Sequence, residues 1–62
     1  MTGIELKLAR VRTGLTQWDL ALKLGLHPAR LSEMETGKRQ VPDVIAERVR
    51  VLEATVVVAA DG

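Results

Sequence analysis

The sequence predicts an all-α domain built from four to five short helices. Three observations support this fold class. Apolar residues recur at helical spacing along most of the chain, capping residues precede these segments, and glycine or proline separates one segment from the next. The chain has 62 residues and no cysteine, so it is long enough for one domain and must be stabilised by apolar packing without disulfides.

The first helix is predicted from about residue 3 to about Arg12. Thr2 and Glu5 have the spacing of a capping box, and Gly14 follows the last turn. The apolar residues of this helix form two stripes, with Leu6 and Ala9 on one side and Ile4, Leu8 and Val11 on the other. A four-helix core needs only the first stripe, so the second must be covered. The cover could be the C-terminal tail of the same chain folded over this helix, or a tail exchanged or paired across a dimer.

Two further helices are predicted around a tight turn. Thr16 is a suitable N-cap for a helix that ends near Leu24, and Gly25 can adopt the left-handed conformation that ends it. Pro28 suits the first turn of a third helix, which is expected to reach about Glu35. Two short helices joined in this way have the geometry of a helix-turn-helix.

The last predicted helix opens at Pro42 and Asp43. Its apolar residues Ile45, Val49 and Leu52 follow at i, i+4 and i+7. We therefore divide the chain into a helix-turn-helix domain over residues 1–54 and an apolar C-terminal tail over residues 55–62. The tail is rich in valine, and its pattern leaves three conformations open: a short fifth helix, a strand or a frayed end.

Two segments of the sequence resemble signatures of a known family. The segment from Leu15 to Leu26 reads LTQWDLALKLGL and resembles "LTQxxLAxxLG", while the segment from Leu31 to Arg39 reads LSEMETGKR and resembles "ISxxExGxR". These signatures are typical of the phage-repressor and Cro type of helix-turn-helix, also called the xenobiotic-response-element (XRE) type. The resemblance extends without a gap over roughly residues 4–54. It implies a lambda-repressor-like bundle whose third helix enters the major groove of double-stranded DNA, as in a transcriptional regulator.

The resemblance implies phosphate contacts at two places. Thr16 and Gln17 begin the second helix, where side chains and backbone N–H groups can both approach an anion. Lys38 and Arg39 lie in the short loop after the third helix and are expected to bind the DNA backbone. The alternatives are that Gln17 is simply a good helix former and that the basic pair belongs to an ordinary solvated loop.

Base reading is assigned to the outward side of the third helix, which carries Ala29, Arg30, Ser32 and Glu33. The methyl group of Ala29 can contact a thymine methyl, and the Glu33 carboxylate can accept a hydrogen bond from cytosine N4. Arg30 can reach either a guanine or a phosphate. Ser32 is grouped with the base readers, but it is typical of the family, and a structural or phosphate-facing role is its alternative. Ala29 as a plain helix former and Glu33 as a solvated residue remain the alternatives.

The resemblance also implies an ion pair beneath the third helix, between Arg10 and Glu35. Both residues lie near the inner sides of their predicted helices. The alternative is two separately solvated charges.

Two departures from the family pattern bear on partners. Pro28 stands where relatives often carry a polar base reader, and Trp18 and Leu22 stand where they usually carry charged surface residues.

A homodimer is expected, since paired half-sites about 34 Å apart multiply selectivity. Trp18, Leu22 or the tail over residues 55–60 could form its interface. The net charge of only +1 keeps one alternative open, a protein-interaction module such as an antitoxin or adaptor.

Other functions find no support in the sequence. It contains no nucleophile–base arrangement, no glycine-rich phosphate loop and no metal-ligand cluster, so we expect no enzyme activity, cofactor or metal. His27 is interpreted as a helix-start residue. The absence of a signal-like segment and of a long apolar run predicts a cytoplasmic protein without membrane contact, and no small-molecule ligand is evident.

Overall fold

Four helices make up the domain: α1 (Gly3–Thr13), α2 (Gln17–Leu24), α3 (Pro28–Thr36) and α4 (Asp43–Asp61). The computed structural model describes the backbone of residues 1–61 and the side chains of residues 1–55. No strand occurs in this described part of the chain, and the prediction of a small all-α bundle is confirmed.

The helix starts follow from local capping. The Glu5 backbone N–H donates to Thr2 Oγ1 at 3.1 Å, and the Thr2 backbone N–H donates to Glu5 Oε1 at 2.8 Å, which completes the predicted capping box. The pKa of Glu5 is lowered below its ordinary value. The largest cause is the hydrogen bond from the Thr2 backbone N–H, and the hydrogen bond with the Thr2 side chain is the next largest. Thr16 caps α2 in the same way, since its Oγ1 accepts from the Asp19 backbone N–H at 3.1 Å.

Three helix ends depend on glycine in the left-handed conformation. Gly14, Gly25 and Gly37 follow α1, α2 and α3 with φ angles of 75°, 71° and 87°. Side chains rarely tolerate this region, so these positions stop the helices where the sequence predicted. The observed ends of α1 and α3 lie one residue beyond the predicted ends, a difference within the normal variation of helix boundaries.

The core lies between all four helices. Its buried apolar residues are Leu6, Ala9, Leu20, Ala21, Leu24, Leu31, Met34, Ile45, Ala46 and Val49. Helix α1 packs against both α3 and α4, and α2 packs against the same two helices. The two stripes of α1 separate as the pattern predicts, because Leu6 and Ala9 are buried while Ile4, Leu8 and Val11 are exposed.

The backbone of the C-terminal tail continues α4. This helix runs from Asp43 through Asp61, across the predicted boundary at residue 54, so the tail is neither a strand nor a separate fifth helix. On α4, Glu53 accepts a hydrogen bond from Arg12 Nη1 of α1 at 3.3 Å. The expected packing of the tail over α1 or across a dimer involves the side chains of residues 56–60, which lie outside the described residues.

Candidate DNA-binding surface

A tight connection fixes the angle between α2 and α3. After Gly25 turns the chain, the Leu26 backbone N–H donates to the Ala21 carbonyl at 2.8 Å, while the Leu26 side chain packs against the core. His27 is the N-cap of α3, and its Nδ1 accepts from the Ala29 backbone N–H at 3.1 Å. Pro28 occupies the first helical position, where its missing N–H costs no hydrogen bond. These hydrogen bonds and the packing of Leu26 hold α3 in one orientation relative to α2.

Helix α3 has a buried side and an outward side. Leu31, Met34 and Glu35 face the interior. The four predicted base readers lie away from it: Ala29 and Arg30 are exposed, and Ser32 and Glu33 are half-buried. The side chains on the outward side are therefore either small or polar, which suits entry into a groove of DNA.

One outward residue of α3 was missed by the sequence interpretation. Thr36 is exposed three residues after Glu33, and its hydroxyl donates to the Glu33 carbonyl at 3.1 Å. The signal was present, because Ala29, Ser32, Glu33 and Thr36 share the i, i+3, i+4, i+7 spacing of one helix face.

The basic loop begins directly at the end of α3. Lys38 and Arg39 are exposed, and their backbone N–H groups both donate to the Glu33 carbonyl, at 2.9 and 3.3 Å. Arg39 Nη2 also lies 3.7 Å from Glu33 Oε2, with both side chains open to solvent. Such an exposed ion pair contributes little to stability. The Arg39 guanidinium can therefore leave Glu33 and bind a phosphate at a small cost in free energy.

The Glu35 carboxylate is buried beneath α3 and has an arginine partner. Arg10 Nε donates to Glu35 Oε2 at 2.8 Å, and Arg10 Nη2 donates to Glu35 Oε1 at 3.3 Å. The Glu35 side chain is 3% exposed and that of Arg10 is 16% exposed. Arg10 Nη1 also donates to the Leu15 carbonyl at 3.1 Å. This two-pronged pair therefore connects α1, the loop before α2 and the end of α3.

Gln17 joins the same network. Its Nε2 donates to Glu35 Oε1 at 3.1 Å, so the first residue of α2 is held beside the C-terminal half of α3. The amide group keeps a second N–H, which can donate to an anion. Sequence interpretation missed the Gln17–Glu35 contact, although Gln17, Ala21 and Leu24 have the i, i+4, i+7 spacing of one inward face.

Comparison with known proteins identifies this arrangement. A family model described as a helix-turn-helix domain matches residues 3–61, almost the whole chain. The chain belongs to the helix-turn-helix domain family. That family is associated with regulators of the XRE type, so the predicted family is confirmed. No curated protein and no solved structure matches the chain.

Membership of the helix-turn-helix family indicates DNA binding in a regulatory context. Domains of this family are typically not enzymes. Within the described residues, no helix is both long enough and apolar enough to cross a membrane. Over the same part of the chain, no group of three or more histidine or acidic side chains could hold a metal ion.

Proposed function

We propose that this helix-turn-helix domain is a sequence-selective regulator of transcription that places α3 in the major groove of double-stranded DNA. One observation carries the proposal. The contact between Gln17 and Glu35 brings the start of α2 beside the end of α3, from which Lys38 and Arg39 continue. Candidate phosphate ligands from two segments therefore gather next to one polar helix face.

The start of α2 suits a phosphate group for two reasons. The first N–H groups of a helix point along its axis and favour an anion at that end. Thr16 accepts from the Asp19 backbone N–H through its oxygen, which leaves the hydroxyl hydrogen able to donate to a phosphate. Gln17 has a second amide N–H for the same purpose. Lys38 and Arg39 add positive charge on the loop, where base identity plays no part.

Selectivity is assigned to the outward side of α3. Ala29 would contact a thymine methyl, Arg30 a guanine, and Glu33 the amino group of a cytosine, with Ser32 adding a hydroxyl contact. Four readers on one short helix cover few base pairs. A homodimer on two half-sites about 34 Å apart would multiply this selectivity, and we therefore propose a two-fold operator.

Removal of one basic side chain from the loop tests the phosphate contacts. The Lys38→Ala variant is expected to weaken binding about equally for all DNA sequences and to reduce the slope of log affinity against log salt by about one unit. The measurement is fluorescence anisotropy with two unrelated duplexes over a range of salt concentrations.

The Arg50→Ala variant is the control for this experiment, because it removes the same charge from an exposed position on α4. Helix α4 packs on α1 and α2, and Arg50 lies in the groove towards α1. A Lys38→Ala protein with wild-type affinity and salt dependence would show that the proposed orientation on DNA is wrong.

A second function, recognition of a protein partner, is favoured by one feature of α2. Trp18 and Leu22 lie one helical turn apart and are 63% and 69% exposed. Large apolar side chains in such a position are typical of protein-contact surfaces. An adaptor or antitoxin that acts only through this surface would show no salt-dependent affinity for either duplex even in the wild-type protein, so the wild-type measurement separates the two functions.

A further inference from the structure

We infer that the outer face of α4, formed by Val44, Glu47, Arg48 and Val51, pairs with the same face of a second copy of this chain, with the two α4 helices parallel. The inference deepens the proposed function, which needs two copies on DNA. Self-association without DNA tests it independently of any DNA contact.

Helix α4 is apolar on two sides. Ile45 and Val49 are buried in the core, yet Val44 and Val51 are 61% and 60% exposed. These two valines are seven residues apart, so they lie on one side of the helix, and the sequence places Val58 after another seven. Val44 and Val51 thus give the exposed side of α4 an apolar line with heptad spacing, which corresponds to one of the two apolar positions of a helix-pairing repeat.

Two grooves flank α4. The groove towards α1 is bridged within the chain, since Arg12 of α1 lies 3.3 Å from Glu53 of α4. The groove towards α2 is lined by the apolar side chains of Leu24, Val44, Val51 and Leu52 and by the charged side chains of Lys23, Glu47 and Arg48.

The charges of the groove towards α2 remain available to a second molecule. Among the side chains that the structure describes, Lys23, Glu47 and Arg48 form no ion pair. The Arg48 side chain instead extends towards α2, where its Nη1 donates to the Leu24 carbonyl at 3.4 Å. An occupant of this groove must therefore be apolar along its centre and must offer charges of both signs at its edges.

A second copy of α4 meets that requirement in only one of its two orientations. At about 100° per residue, Glu47 lies on one side of the line from Val44 to Val51, and Arg48 lies on the other, towards α2. In an antiparallel pair, a two-fold axis would place Glu47 beside its own copy. In a parallel pair, Glu47 of one copy faces Arg48 of the other at the same height. Opposite charges then meet across the seam, so charge complementarity selects the parallel arrangement.

Sedimentation equilibrium of the full chain without DNA tests the interface. The Val51→Glu variant is expected to weaken self-association by about tenfold or more, because it places a charge in the seam. Val11→Glu is the matched control, since Val11 on α1 is also 60% exposed, and it should self-associate as wild type does. A wild-type chain that stays monomeric at high micromolar concentration would overturn the inference, as would a dimer that Trp18→Ser dissociates and Val51→Glu does not.

Disulfide cross-linking tests the orientation, because the chain has no cysteine of its own. In a parallel pair each seam valine meets its own copy. The Val51→Cys variant alone should therefore form a covalent dimer under mild oxidation, as should Val44→Cys alone. Cross-linking only in a mixture of the two variants would show an antiparallel pair and overturn the proposal. Neither result depends on DNA binding, so the proposed function can fail while this inference stands, or the reverse.

Discussion

Replacement of Arg10 by methionine is expected to lower the free energy of unfolding by about 3–5 kcal/mol. Arg10 donates two hydrogen bonds to Glu35, whose side chain is 3% exposed. Without the guanidinium, the carboxylate remains buried beside Gln17 with no positive charge to offset its loss of hydration. For a domain of this size the loss is a large share of the total stability. Urea unfolding followed by circular dichroism measures it.

The double variant Arg10→Met with Glu35→Leu tests whether the loss of stability arises from the interaction between the two residues. Removing both charges should recover much of the lost stability, because no uncompensated charge remains buried. Arg12→Met is the control: Arg12 pairs with Glu53 at 3.3 Å, but its side chain is 70% exposed, so its loss should cost less than about 1 kcal/mol. If the effects of Arg10→Met and Glu35→Leu simply add, the two residues do not act as a buried pair.

Replacement of Gly3 by alanine is expected to destabilise the domain by about 1–3 kcal/mol, although alanine is the better helix former. Gly3 is the first residue of α1 and packs against the end of α3. A Cβ atom here would collide with the Met34 carbonyl oxygen and would lie 2.8 Å from that of Glu35. Because both obstacles are backbone atoms, α1 and α3 would have to separate. Thermal unfolding of both proteins measures the change.

Ala54→Gly supplies the comparison for this substitution. Ala54 is exposed on α4, so its replacement reports helix propensity alone and should cost roughly 0.5–1 kcal/mol. The same propensity would make Gly3→Ala stabilising if space were available. A stabilised Gly3→Ala protein would therefore contradict the close contact between α1 and α3.

The helix boundaries could be predicted from the sequence because their causes are local. Thr2 and Glu5 form a capping box within four residues, and Gly25 needs only its own backbone freedom to end α2. The outward face of α3 could likewise be predicted, because helical spacing places its residues on one side. Features of this kind depend on neighbours along the chain, which the sequence shows directly.

Other features depend on residues far apart in the sequence. The need for glycine at position 3 arises from carbonyl groups more than thirty residues later, and nothing near Gly3 indicates it. The sequence predicted a phosphate contact for Gln17 from its position at the start of α2. Its hydrogen bond to Glu35 could not be predicted in the same way, because it forms only when α2 and α3 pack together. The tail was left open because its valines disfavour a helix, yet no glycine or proline interrupts residues 43–61, and α4 continues through them.

Selection of bound sequences from random double-stranded DNA, at two salt concentrations, tests the central claim most directly. The proposed function predicts that an inverted repeat is enriched and persists at the higher salt, since base contacts resist salt better than phosphate contacts do. Glu33→Ala should change the preferred base at one position of each half-site, while Arg50→Ala should select the same repeat as wild type. Recovery of no preferred sequence, with binding that salt abolishes for every duplex alike, would contradict the claim that α3 reads DNA sequence.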